Sequence, residues 1–232
     1  MTETTIGDGD LGERFARVAA AVDEACRSAG RSPSDLTTIV VTKFHPASLV
    51  RELYDLGVRD VGENRHQEAQ GKAAELDDLD GLQWHFVGQL QSKKARQARR
   101  YASAVHSLDR DSVVDALADD SGAILDGFVQ VALTDDPGRG GVAVGDVERL
   151  AERVLATPGL RLRGVMAVAP LGEEARPAFA RLRAVSERLR AIAPGADAVS
   201  AGMSHDFAAA IAEGATHLRI GTAITGSRPE AR

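Results

Sequence analysis

The stretch TTIVVTKFHP, residues 37–46, sets a lysine at the end of a β-branched apolar run and just ahead of a proline. Such a run reads as a strand covered on both faces, and the proline as the opening of a helix. In open and closed α/β folds, that junction is where chemistry is kept. Lys43 is thus a candidate amine for attack on a carbonyl, a reaction that needs a lysine able to lose its proton. The structural alternative is a side chain whose stem follows the core while its head reaches water.

A second segment, SAGMSHDFAAAIAEG (200–214), reads as a capped helix start. Ser204 takes the N-cap position, Asp206 lies in the first turn, and Phe207, Ala210 and Ile211 give a buried face before Gly214 ends the helix. Gly202 allows close backbone approach, so the free N–H groups of this segment suit an anion. The next segment, RIGTAITG (219–226), adds Gly221 and Thr222, with N–H groups and a hydroxyl just past another strand. Arg219 lies inside that strand, where an arginine is costly unless it meets an internal carboxylate or an acceptor on a ligand.

The elements that must position these residues form a regular alternation. A first helix is expected over about 11–29, with Phe15, Val18, Val22 and Cys26 on one face and Gly30 at its end. Strands are expected at 36–42, 60–63, 83–88, 103–109, 127–133, 162–169, 197–202 and 217–221, with helix-period segments between them. The clearest helical stripe is Phe179, Leu182, Val185, Leu189 and Ile192. Eight strands alternating with helices, without a change of composition midway, predict an α/β fold: a single (β/α)8 TIM-type barrel with an extra N-terminal helix. A doubly wound sheet is the rival, but no G-x-G-x-x-G follows any of these strands. The barrel is expected over 11–226, with loose polar ends at 1–10 and 227–232. In a barrel, the loops after strands seven and eight recur as a phosphate site, and both segments above fall there.

Composition narrows the possible partners. The chain has 232 residues, 44% hydrophobic and 27% charged, with a net charge of −6, which disfavours nucleic acid or an anionic membrane as the main partner. The cluster Lys93, Lys94, Arg96, Arg99 and Arg100 reads as a solvated helix face. One cysteine excludes a disulfide framework, and the six histidines show no ligand spacing, so no metal is expected. With no leader pattern or long apolar run, the expected location is cytoplasmic.

An anion cradle and a strand-end lysine across one barrel mouth suit a phosphorylated aldehyde. Pyridoxal 5′-phosphate (PLP) needs these two anchors and a partner for its ring nitrogen. The segments VTKFHP, VGENRHQE, WHFVGQLQSKK, HSLDR, GVMAVA and SAGMSHDFAAAIAEGATHLRIGTAITG resemble the pyridoxal phosphate homeostasis protein family, single-domain relatives of the alanine racemase N-terminal barrel. The resemblance implies PLP held as an internal aldimine on Lys43. It implies phosphate contacts from the loop of Gly202, Met203 and Ser204 and from Gly221–Thr222, with Arg219 facing the pyridine nitrogen. Asn64, His85, Ser107, Met166 and Ser200 match pocket-lining positions. Departures from the pattern are Lys93 in place of Asn, Ala201 in place of Met, and the loop LTDDPGRGGV (133–142) with its Arg139.

Arg219 favours one function over another. An arginine only donates, so it favours an unprotonated ring nitrogen and a weak electron sink. Racemisation also needs a second acid–base group, and Tyr54 and Tyr101 fall within expected helices. The expectation is a monomeric PLP carrier that buffers the cofactor and hands it to PLP-requiring apoenzymes. The alternative is a PLP-dependent amino-acid racemase of the alanine racemase type.

Overall fold

A computed structural model describes residues 9–134, 136 and 138–227. The expected loose ends lie outside the described residues except for Gly9, Asp10 and Ser227. Asp10 is the N-cap of helix α1 (Leu11–Ser28), its carboxylate accepting the Glu13 N–H at 2.9 Å. The other end of α1 is closed by Gly30 at φ +66°, where the Arg31 and Gly30 amides donate to the Cys26 and Arg27 carbonyls.

The strands are β1 (Thr37–Val41), β2 (Asp60–Glu63), β3 (Gln83–Phe86), β4 (Ala104–Leu108), β5 (Leu125–Gln130), β6 (Leu160–Met166), β7 (Ala198–Ser200) and β8 (His217–Ile220). They pair in parallel and in sequence order, and β8 returns to β1, closing the barrel. The helices after α1 are α2 (Ala47–Asp55), α3 (His66–Glu75), α4 (Ser92–Ala98), α5 (Asp111–Ala116), α6 (Val147–Leu155), α7 (Ala175–Ile192), α8 (Phe207–Ala212) and α9 (Thr222–Thr225). The outer side of the strands and the inner stripes of the helices form one large apolar layer, with Val50, Leu53, Phe86, Leu150, Leu182 and Leu189 fully covered. Burying such side chains stabilises by about 1.5–3 kcal/mol each.

The barrel interior differs in kind. Barrels of this class are usually filled with branched apolar residues. Here the apolar filling includes a small cluster of Ala104, Phe128, Met166 and Ala198, and the rest of the interior includes buried His85, His106, Ser200 and Arg219. No helix among the described residues is long and apolar enough to cross a membrane. The expected basic face of α4 is in part structural: the Arg99 guanidinium binds Asp119 and the carbonyls of Leu117, Ala123 and Gly159.

Candidate functional site

Lys43 follows β1 at the carboxyl rim, and its surroundings explain why its amine has no ion-pair partner among the described residues. Three ionisable groups beside it are consumed by one another. Lys72, on α3 and only 6% exposed, donates from Nζ to Glu63 Oε1 at 2.6 Å, to the Thr42 carbonyl at 2.9 Å and to Glu68 Oε1 at 3.3 Å. Thr42 Oγ1 donates to the same Glu63 oxygen at 2.7 Å. Burial pushes the Glu63 carboxyl above its ordinary range, partly offset by the bonds from Lys72 and Thr42. Glu68 Oε1 accepts the Phe44 N–H at 2.5 Å, which holds Phe44 at φ +70°, a conformation rare for an aromatic residue. The residue beside Lys43 is thereby pinned from α3. Among the described residues Lys43 has no carboxylate partner, and its Nζ lies 5.8 Å from the Phe44 ring centroid. The sequence reading missed this triad because Glu68 and Lys72 at (i, i+4) look like an ordinary surface pair.

Arg219 on β8 meets no carboxylate among the described residues. Its Nη1 donates to Ser200 Oγ at 2.6 Å and its Nη2 to the Ala167 carbonyl at 2.8 Å. Burial lowers its pKa to about 10, with Asp206 partly opposing. The site therefore has a positive charge whose immediate partners are neutral.

The two expected anion loops lie side by side, because β7 and β8 are neighbours and β8 adjoins β1. The Ala223 N–H donates to Ser204 Oγ at 3.4 Å, linking the two loops directly. Among the described residues, the amides of Ser204, Gly221 and Thr222 have no backbone acceptor. Three details differ from the sequence reading. Helix α8 begins only at Phe207, so Ser204 lies in the preceding turn and is not its N-cap. The Met203 N–H is taken by the Asp206 carboxylate at 2.5 Å, and its side chain is exposed. Gly202, at φ +92°, is required by packing, since a Cβ there would lie 2.8 Å from the Ala210 Cβ. Its small size serves the approach of α8.

The secondary positions separate into two groups. Asn64, after β2, and Ser107, on β4, carry buried side-chain oxygens with no hydrogen-bond partner among the described residues. Asn64 is held close to the end of β3, where a Cβ on Gly88 would lie 2.2 Å from the Asn64 carbonyl oxygen. Met166 packs in the interior cluster and Ser200 is engaged by Arg219. His85 lies lower in the barrel: its Nε2 meets Asp60 Oδ1 at 2.9 Å, at the first residue of β2. It lines a cavity of about 390 Å³ at the amino end of the barrel with Asp60, Asp126, Arg161 and His217.

Both tyrosine hydroxyls are engaged in the helical layer, Tyr54 with the Asp80 carbonyl at 2.9 Å and Tyr101 with His66 Nδ1 at 3.3 Å. Burial raises the Tyr101 hydroxyl well above its ordinary pKa, which leaves it a poor acid–base group. No group of three His, Cys, Asp or Glu among the described residues is placed to hold a metal ion. In the 133–142 loop, Gln130 Nε2 donates to the Gly140 carbonyl at 2.8 Å and Val131 bridges to Val142. Arg139 lines an outer cleft with Thr134 and Arg181. Asp135 and Pro137 lie outside the described residues.

The alanine racemase N-terminal domain family matches residues 16–229. The pyridoxal phosphate homeostasis protein of Pseudomonas aeruginosa is 45% identical, over 94% of this chain and 96% of its own length. That of Escherichia coli K12 is 38% identical, over 94% and 97%. The PLP-bound structure of PipY from Synechococcus elongatus superposes with a TM-score of 0.81 at 36% identity, covering 94% of this chain and all of that one. Alanine racemase of Corynebacterium glutamicum shares the fold alone, with a TM-score of 0.69 at 14% identity over 62% of its length. This chain is a member of the pyridoxal phosphate homeostasis protein family, built on the alanine racemase N-terminal fold.

Proposed function

We propose that this chain binds pyridoxal 5′-phosphate at the carboxyl rim and holds it for delivery to apoenzymes. The observation that carries the reading is the placement of Lys43, without an ion-pair partner among the described residues, just after β1 and next to the open amides of Gly221 and Thr222 on the adjoining β8 loop. The residues present fit the group. The amides of Ser204, Gly221 and Thr222, with the Thr222 hydroxyl, would take its phosphate. The unpartnered oxygens of Asn64 and Ser107 await polar atoms. Arg219 would donate to the ring nitrogen. The bound group supplies an aldehyde and an electron-accepting ring. Lys43 would present its amine to that aldehyde, and a competing amine from a recipient could take its place.

What Arg219 does favours holding over turnover. It would offer only donors to the ring nitrogen, which would disfavour a proton there and weaken the ring as an electron sink. The engaged hydroxyls of Tyr54 and Tyr101 provide no second acid–base group. Delivery to a recipient enzyme would then need only a competing amine.

The experiment is a visible spectrum of the protein with added PLP, followed by borohydride reduction and peptide mapping. An imine band and a pyridoxyl tag confined to Lys43 are expected, with no solvent deuterium entering the Cα of added alanine. A tag spread over Lys93 and Lys94 would refute the binding site. Rapid Cα exchange would replace the carrier reading with that of a racemase.

A further inference from the structure

Below Arg219, the barrel interior contains a chain of hydrogen bonds with defined ends. Arg219 Nη1 meets Ser200 Oγ at 2.6 Å, Ser200 Oγ meets His106 Nδ1 at 2.8 Å, His106 Nε2 meets His85 Nδ1 at 2.9 Å, and His85 Nε2 meets Asp60 Oδ1 at 2.9 Å. It crosses from β8 through β7, β4 and β3 to the start of β2, and reaches the polar cavity at the amino end of the barrel. Every member except Asp60 is buried.

The ends decide the sense of every link between them. A guanidinium can only donate and a carboxylate can only accept. One proton on each imidazole and one on the hydroxyl satisfy all four links in a single order. His85 gives its Nε2 proton to Asp60, which leaves its Nδ1 to accept from His106 Nε2–H. His106 Nδ1 in turn accepts the Ser200 hydroxyl proton, and the oxygen of that hydroxyl accepts from Arg219. Reversing any one link sets two donors or two acceptors against each other at a buried site, which costs about 1–3 kcal/mol.

We propose that Asp60, His85 and His106 are positioning residues for Arg219, forming a one-directional relay that couples the amino-end cavity to the group bound at the opposite rim. The proposal rests on the cofactor reading above for the identity of that group, but the relay itself belongs to the protein alone. Its setting keeps a further proton off His106. Burial and the positive charge of Arg219, with His85 and His217, hold the His106 pKa well below its usual value, and the ring stacks on Phe128 of β5 at 4.2 Å. His217, facing the same interior, is lowered to about 4 by burial, with His85 and Arg163 acting the same way and Asp60 and Asp126 opposing. Asp60 is the relay's negative end, and at the cavity it is the member most accessible to solvent.

The test has one arm without cofactor and one with it. Long-range ¹⁵N–¹H spectra of the histidine rings in the ligand-free protein are expected to show His85 and His106 both as Nε2–H tautomers. His106 found as the Nδ1–H tautomer would overturn the relay. In Asp60→Asn, the amide can turn its NH₂ toward His85, so the sense is no longer fixed. His106 is then expected to populate the Nδ1–H form. With PLP added, the pH midpoint of the visible band should fall by about half a unit to one unit, as loss of a negative charge disfavours the protonated form. Asp60→Glu should restore both readouts. A folded Asp60→Asn with unchanged tautomers and midpoint would overturn the coupling. A wild-type protein that gives no band would remove the cofactor reading, while the histidine spectra would still decide the relay.

Discussion

Replacing Lys72 with Met tests whether the triad beside Lys43 works as a unit. The ammonium makes three hydrogen bonds, to Glu63 Oε1, the Thr42 carbonyl and Glu68 Oε1. Met fills much of the same volume but leaves Glu63, 1% exposed, without its counter-charge. Breaking a buried pair in this way costs about 3–5 kcal/mol. For a chain of this size that is a fall in Tm of roughly 6–20 °C. The loss must depend on pH, and its sign follows from Glu63. Its folded pKa is already raised above the ordinary carboxylate value by burial, so its contribution is present at low pH and lost as pH rises through the folded pKa. Removing Lys72 raises that pKa further, and the penalty is largest where the carboxyl would be ionised in the unfolded chain. Thermal melts of wild type and Lys72→Met at pH 7 and pH 5 should show the difference shrinking at pH 5. Adding Glu63→Gln to Lys72→Met should recover at least about 1.5 kcal/mol at pH 7. An equal loss at both pH values, with no recovery in the double variant, would refute the argument.

Lys43→Ala removes a side chain with no ion-pair partner among the described residues, so stability should stay within about 0.5 kcal/mol of wild type while borohydride trapping of PLP disappears. A tag of undiminished yield in that variant would place the amine elsewhere. Gly88→Ala forces a Cβ to within 2.2 Å of the Asn64 carbonyl oxygen. It should cost about 2 kcal/mol or more and lower the Tm by roughly 4–8 °C, and an unchanged melt would show that the close approach is not required. Sedimentation equilibrium at micromolar concentration should find a monomer, and a stable dimer would contradict that expectation.

The alternation of strands and helices was legible because strands such as β1 (TTIVV) and β3 (QWHF) are compact β-branched or aromatic runs. The second strand matched residue for residue at 60–63, whereas β5 begins at Leu125, two residues before the expected start, and ends at Gln130, three before the expected end. That boundary was obscured because strands covered on both faces lose the alternation that marks a one-sided strand. For the same reason, the sequence could not show which residues point into the barrel, or at what height. His85 and Ser107 both read as strand residues near the rim. The structure puts His85 with Asp60 at the amino end and leaves the Ser107 oxygen without a partner among the described residues. Lys43, Arg219 and the Gly221–Thr222 loop were legible from their chemistry, since a lysine, an arginine and a glycine turn at strand ends each limit what they can do. The Glu63–Glu68–Lys72 triad was not, because Glu63 joins the surface-like Glu68–Lys72 pair only once α3 packs beside β2, and the histidine relay was not, because it joins strands across the barrel interior.

The pairing of β1 with β8 also fixes when the site can exist during synthesis. Thr37 lies opposite His217, and Arg14 of the first helix donates to the Ile224 carbonyl at 2.8 Å. The lysine comes from the first fifth of the chain, and the amides beside it from the last. Until residues 217–225 have left the ribosome, β1 has no partner along one edge, and the emerging chain must keep that edge from other strands. A nascent or truncated chain can carry Lys43 in full and still have nothing to set beside it. Any product that stops short of β8 therefore holds Lys43 without the Gly221 and Thr222 amides that barrel closure sets beside it.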